Sequence, residues 1–416
     1  MTLRYAPAVL LGRAVRVAAR LRKAGGGSAV PGLVVNRVAP GFLSSVLAGF
    51  PDGLVVVTGS SGKSTTTKML AALLEAHGRR VFTNPSTANI SQGLSSALLE
   101  RVSLRGRIDA DIAVLEMDEG HGALIAPRLA PRLVLLTNVM TDQIDRFFDS
   151  EKVLAFLAKI AGRATEVLVT NGDDAMLEEL AASPPPGVRV ERFGVSGALL
   201  ADSARGLGYS RTAASRLETG TRVIAAHGRT ATIEVGDAAL TVTLPAKGVH
   251  YAVDAASALA AARALLGAAF EPDLAAETIG TLAPVFGRGE ITTVRGVEVE
   301  FLLVQNPASF QLNVDALDDD LDQVLVAMGS DVRDPGYFWP VDARRIGRVR
   351  VVSGSKAAEI ALQLAYQGVT IEAIEPDIAT AIDAFLALPE PRSGLKTIIF
   401  TADSMRRTRS HLGLSS

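Results

Sequence analysis

The residues best equipped for chemistry lie in one short run, Thr58-Gly-Ser-Ser-Gly62-Lys63-Ser64-Thr65, entered from the apolar stretch Leu54-Val-Val-Val57. Glycines at 59 and 62 let backbone N–H groups turn inward around phosphate oxygens. A helix beginning near Lys63 would add partial positive charge, and Lys63 itself can reach the β- and γ-phosphates. Ser64 offers a hydroxyl to Mg²⁺. Met69, Leu70, Leu73 and Leu74 share one face of the expected helix, and Gly78 closes it. Val57 stands where G-x-x-x-x-G-K-[ST] has its first glycine, but the strand, loop and helix follow in the order a P-loop needs. Gly59, Ser60, Ser61, Gly62, Lys63, Ser64 and Thr65 are therefore expected to bind ATP.

Further polar residues end further apolar runs. Leu54–Val57, Val81–Phe82, Ile112–Leu115, Leu133–Leu136 and Val167–Val169 give way to Thr58, Thr83-Asn84, Glu116, Thr137-Asn138 and Thr170-Asn171. Continuous β-branched runs alternating with helical periods predict a parallel sheet covered on both faces. Ligands of such sheets sit beyond the carboxyl ends of the strands. Glu116 is placed to hold Mg²⁺ directly or through water, so Ser64 and Glu116 are the metal candidates. Asn138 joins the nucleotide site, and Asp142, Gln143, Asp145 and Arg146 follow it closely.

The elements that must position these groups divide the chain into three parts. Residues 1–50 are a basic helical segment, with an amphipathic helix over 8–23 broken by Gly25-Gly-Gly-Ser28. That helix either caps the core or touches an anionic membrane surface. Residues 51–290 are the ATP-binding domain, carrying a β-like insertion or subdomain edge at about 190–245 and a helix rich in Ala and Leu at 252–266. Residues 291–416 repeat an α/β pattern, with strands near 298–304, 323–328, 348–352, 369–373 and 397–401.

Composition narrows the function classes. The 416 residues are 48% hydrophobic and 21% charged, which suits several packed domains rather than a disordered chain. A net charge of −2 gives no basic field for nucleic acid. The absence of cysteine removes disulfides, thiolate zinc sites and any cysteine nucleophile, and is compatible with a cytoplasmic home. Five histidines, no two at H-x-x-x-H spacing, offer no protease-like zinc site.

Taken together, the loop Gly59–Thr65, Asn84-Pro-x-x-x-Asn89 with Gly93, Glu116-Met-Asp118-Glu119 and Thr137-Asn138 resemble the Mur ligase superfamily. More narrowly the chain resembles its MurT group, the ligase subunits of lipid II isoglutaminyl synthases. Phe286-Gly-Arg288-x-Glu290, Asn306-Pro307-Ala308 and Ser353-Gly354-Ser-Lys356 carry the likeness into the C-terminal part. The resemblance implies a Mur-ligase-like central domain with a Rossmann-like C-terminal domain. It implies ATP, Mg²⁺ and an acyl phosphate on the α-carboxylate of D-glutamate in lipid II, at the inner face of the membrane. It also implies ammonia from a GatD-like glutaminase partner, in keeping with a chain that has no cysteine of its own for glutamine hydrolysis. By resemblance Lys63, Glu116 and Arg288 act in catalysis, Arg288 and Asn306 reach the nucleotide as the domains close, and Asp334 or Asp342 would serve the partner's Cys-His pair.

Five features depart from that pattern. The group's four-cysteine zinc ribbon is impossible here, since about 195–245 contains no cysteine. The usual T-N-G-K-T loop reads Ser60-Ser61-Gly62-Lys63-Ser64, and K-N-P reads Gln305-Asn306-Pro307. G-x-x-N-x-x-N reads Gly248-Val-His-Tyr251-Ala-Val-Asp254. The acidic residue expected after Trp339 is Pro340. These changes keep two rivals open: a Mur-like amino-acid ligase working without a glutaminase, and a nucleotide-binding partner protein without catalysis.

Overall fold

The computed structural model describes residues 3–22, 29–85, 88–140, 149–202, 206–213, 220–319 and 321–414. Asp142, Gln143, Asp145, Arg146, Lys23 and the Gly25–Ser28 break lie outside them. Helices α1 (Ala6–Arg22), α2 (Val30–Val38) and α3 (Phe42–Leu47) precede β1 (Leu54–Thr58) and α4 (Lys63–Ala76). Next come β2 (Val81–Thr83), α5 (Ser91–Arg101), β3 (Ile112–Glu116), α6 (Glu119–Ile125) and β4 (Leu133–Leu136). Helix α7 (Ser150–Ala161), β5 (Val167–Asn171), α8 (Ala175–Ala181), β6 (Arg189–Val195) and α9 (Gly197–Asp202) follow.

A meander, β7 (Thr221–His227), β8 (Thr230–Val235) and β9 (Ala238–Thr243), leads into α10 (Val249–Leu266) and α11 (Pro272–Gly280). These strands form one sheet in the order β2-β3-β1-β4-β5-β6-β7-β8-β9. It is parallel up to β7, and β8 and β9 run antiparallel. All five expected central strands are present. β6 is an addition, half-exposed along its first residues and therefore without a continuous apolar run. The meander is not a separate subdomain: β7 pairs with β6 and prolongs the main sheet, with Val223, Ile233 and Val242 fully buried beneath it.

Alternation along β1 shows how two layers are served by one strand. Leu54 and Val56 face a core shared with α2, α3, α5 and α7, while Val55 and Val57 face another made by α4, α10 and α11. Helix α10 is long and apolar enough by composition to cross a membrane, but that character is spent on the protein core. Every residue from Tyr251 to Ala262 is buried.

The second sheet comprises β10 (Arg288–Val294), β11 (Val297–Leu303), β12 (Val324–Ala327), β13 (Arg348–Ser353), β14 (Thr370–Glu375) and β15 (Lys396–Phe400). Its order is β10-β11-β15-β12-β13-β14, parallel except for β10. Helices α12 (Pro307–Asp315), α13 (Ala357–Tyr366), α14 (Ile378–Leu386) and α15 (Ala402–His411) complete it. The architecture is α/β throughout. The chain changes sheets at Arg288, so β10 spans the 290/291 junction read from the sequence.

The strap between the domains is tied on both sides. Lys68 of α4 donates to the carbonyls of Ala283 and Pro284 at 2.7 and 3.3 Å. On the other side, Arg409 of α15 bonds both oxygens of Glu290, at 3.0 and 2.8 Å, and lies 3.4 Å over the Phe286 ring. Lys247 and Asp318 add a direct ion pair of 2.6 Å. Arg409 is nearly buried, so Arg409→Ala leaves the Glu290 carboxylate without its cation and removes the ring contact. That variant should lose about 2 kcal/mol of stability, read as a lower chemical-denaturation midpoint with an unchanged slope.

Candidate active site

The site is built where the sheet order changes direction. β1 lies between β3 and β4, so the chain leaves its carboxyl end toward opposite sides, opening a crevice there. Gly59 has φ +131° and Gly62 φ +81°, values that side-chain-bearing residues rarely adopt. A Cβ on Gly59 would stand 2.2 Å from Thr137 Oγ1, and one on Gly62 would stand 2.2 Å from Asp254 Oδ1. Helix α4 then starts at Lys63 directly from Gly62, with no side chain capping its first N–H groups. A loop of this shape at a helix N-terminus fits phosphate groups.

Asn138 supports the loop from beneath. Its Oδ1 accepts from Ser61 N at 2.9 Å, its Nδ2 donates to Ser61 O at 3.3 Å, and its own carbonyl accepts from Ser60 N at 3.0 Å. In this state its amide is engaged with the loop backbone, so its role is to shape the loop. Ser60 Oγ accepts from Met140 N at 3.2 Å.

Glu116 is the last residue of β3 and stands in register with Val57, beside the start of the loop. It is buried, and Asn89 Nδ2 donates to its Oε1 at 3.2 Å. Asn84 holds its backbone on both sides, accepting from Glu116 N at 2.9 Å and donating to Glu116 O at 3.1 Å. A buried acceptor-only carboxylate beside the loop, with Ser64 in the first turn of α4, fits a hard cation such as Mg²⁺. Among the described residues no cluster of three or more His, Asp or Glu forms a cation cage. A metal here would therefore draw its remaining ligands from phosphate and water.

Two carboxylates that sequence reasoning passed over complete the picture. Glu119 begins α6 and pairs with Lys63 Nζ at 2.9 Å, both groups being largely buried. Lys63 also reaches back to the carbonyls of Gly59 and Ser60. Asp254, in the first turns of α10, accepts a hydrogen bond from the Thr65 side chain. Burial pushes its carboxyl up to about 8, against the Arg288 charge and the Thr65 bond. The signal was present: an acid stands where an asparagine was expected, on a helix whose apolar neighbours bury it.

Arg288 opens β10, and its charge opposes the upward shift that burial imposes on the Asp254 carboxyl and the Tyr251 phenol. Arg288, the loop and Asp254 thus meet across the domain junction. Other expected site residues do not join them. Asn306 is the N-cap of α12: its Oδ1 accepts from Ser309 N at 2.6 Å in a capping box. That use occupies the side chain in local structure rather than in nucleotide contact. Asp334 caps a short 3₁₀ turn by accepting from Gly336 N at 2.9 Å, and Asp342 pairs with Arg344 at 2.6 Å.

Residues 57–262 match the family model described as the Mur ligase middle domain. The chain carries a Mur ligase middle domain. Around it, the MurT subunit of lipid II isoglutaminyl synthase from Streptococcus pneumoniae is 32% identical over 178 residues, which are 42% of this chain and 37% of that one. The UDP-N-acetylmuramate–L-alanine ligase of Thermobifida fusca is 27% identical over 297 residues, 69% of this chain and 55% of that one. These matches thus span little more than a third to about half of the relatives' length. In fold, MurF ligase from Thermotoga maritima in complex with ADP superposes with a TM-score of 0.64 at 20% identity, over 89% of this chain and 81% of that one. The phosphate loop, Glu116, Asn138 and Asp254 all fall inside the Mur ligase middle domain.

Proposed function

We propose that this protein is an ATP-dependent Mur-type ligase that joins a nitrogen nucleophile to a carboxylate in peptidoglycan precursor synthesis. The observation that carries the proposal is the loop itself, with Lys63 at the helix start, Glu116 in register with Val57 at its entry, and Asp254, within reach of the Arg288 charge, against Gly62. The solved MurF neighbour contains ADP, in keeping with a nucleotide here. In the first half-reaction the substrate carboxylate attacks the γ-phosphorus and ADP leaves, giving an acyl phosphate. In the second, the nitrogen attacks the carbonyl carbon, phosphate leaves, and the amine gives up a proton.

Such transfers need charge neutralisation and close positioning more than covalent help. Lys63 exchanges Glu119 for phosphate oxygens, and backbone N–H groups from Gly62 onward hold them. Ser64 and Glu116 would hold Mg²⁺, which when bound neutralises charge on the phosphates. Arg288 brings a cation from the C-terminal side of the strap.

Within this class we read the MurT type: amidation of the D-glutamate α-carboxylate of lipid II at the inner face of the membrane, with ammonia from a GatD-like glutaminase subunit. The likeness to MurT subunits and the chain's lack of cysteine support it. One observation favours the rival amino-acid ligase: Asp334 and Asp342, the carboxylates available to a glutaminase, are both engaged locally. Phosphate release by the purified chain, alone and with co-purified partners, separates the two readings. Turnover that needs lipid II and accepts glutamine only when a glutaminase co-purifies supports the MurT type. Turnover with an amino acid but not with ammonium selects the rival, and no acceptor-dependent turnover at all rejects ligation.

A further inference from the structure

The outer face of α1 is apolar where a solvent-facing helix surface is ordinarily polar. Its inner face has a structural partner: Ala8 and Val9 are buried, and a Cβ on Gly12 would stand 2.7 Å from Val35 of α2. Turned outward are Pro7, Leu10, Leu11, Ala14, Val17 and Ala18, all exposed and recurring with the period of one helix face. Leu10 is 55% and Val17 61% exposed. Helix α2, packed on α1 at Gly12, adds the exposed side chains of Val30, Leu33 and Val38.

Charge sets this surface apart from the rest of the molecule. The first 50 residues hold seven arginines and lysines and no acidic residue, whereas the other 366 hold 35 basic and 44 acidic residues. Arg4 and Arg37 are exposed beside the apolar face. Arg13 is fixed over the end of α5 by the carbonyls of Leu99 and Val102, and Arg16 pairs with Glu100 of α5. Exposed apolar side chains on two packed helices, with the exposed cations Arg4 and Arg37 among them and no acidic residue in the segment, suit an interface that is oily within and anionic at its edge. At 17 residues α1 is about 26 Å long, short of the hydrocarbon core it would need to cross.

We propose that the α1–α2 face is a peripheral docking surface for an anionic lipid bilayer. Helix α1 lies in the plane of the interface, its exposed leucines and valine among the upper acyl chains, with Arg4 and Arg37 at the headgroups. This surface does not depend on the ligase reading, because vesicle binding is measured without nucleotide or acceptor.

The test is co-sedimentation of the full chain with vesicles of phosphatidylcholine alone, or with about one third phosphatidylglycerol. Binding is expected to the anionic vesicles and to fall roughly tenfold on the neutral ones or at high salt. Leu10→Ser with Val17→Ser should lose binding to both. Arg4→Glu with Arg37→Glu, which keeps the apolar face, should lose only the anionic preference. Unchanged thermal midpoints and ADP affinity establish that the variants fold. Equal absence from both pellets overturns the proposal. So does a concentration-dependent dimer in sedimentation equilibrium that Leu10→Ser with Val17→Ser dissociates, since a second copy would then cover this face.

Discussion

Replacing Lys63 with alanine should lower kcat/KM for ATP-dependent phosphate release by roughly 10²–10⁴-fold, at the upper end of what one electrostatic contact supplies. Lys63 is the first residue of α4, and its ammonium is the cation nearest the phosphate cradle, held there by Glu119 at 2.9 Å. Its loss removes that charge and leaves Glu119, a buried carboxylate, facing the same space. Nucleotide is then met by a negative charge where it met a positive one. ADP affinity should fall together with turnover, and calorimetric titration would register both the weaker binding and an intact fold in the variant. A Lys63→Ala protein that retains more than a tenth of its turnover would remove this loop from the reaction.

Changing Asp254 to asparagine should alter the pH profile rather than the activity at neutral pH. The Asp254 carboxyl, pushed up to about 8 by burial, is mostly a neutral acid at pH 7 and resembles the amide that would replace it. Above that value it ionises beside Gly62, where phosphate must sit. If nucleotide binds only the protonated form, wild-type affinity should fall roughly tenfold between about pH 7 and 9, while Asp254→Asn stays level.

Stability follows the same sign. The folded pKa lies above the ordinary aspartate value of 3.8, so the native state keeps a proton that the unfolded chain releases. The contribution is complete below 3.8 and is lost as pH rises through about 8. Asp254→Asn should therefore gain on the order of 2 kcal/mol over wild type above pH 8, after discounting for relaxation around the charge. Parallel pH slopes for the two proteins, in binding and in unfolding, would dismiss Asp254 as the titrating group.

The parts of this molecule legible in the sequence are those whose cause is local. The runs Leu54–Val57 and Ile112–Leu115 are apolar because both sheet faces are covered, so strand and polar end could be read together. Gly59 and Gly62 mark their loop because their backbone angles exclude side chains. What was not legible depends on distant partners. β6 has no continuous apolar run because only its far half is buried. The meander's attachment to the main sheet depends on β6, which no apolar run announces. The Lys63–Glu119 pair joins residues 56 positions apart, and no spacing rule announces it. Asn306 looked like a ligand by motif, yet an asparagine before proline and three positions ahead of a serine is also an N-cap, and the fold uses it as one.

Lys68 ties the strap between the domains from the same helix whose first residue is Lys63. Five residues along an α-helix cover about 7.5 Å, so the phosphate loop and the strap hang from one stiff rod less than two turns apart. A hydrogen-bonded helix of this length does not stretch. The Lys68 ammonium carries that rod to the carbonyls of Ala283 and Pro284, and Arg409 holds Glu290 just beyond the strap from the C-terminal side. The phosphate site and the strap between the domains thus share one rigid element, so the position of one is set relative to the other by the length of α4.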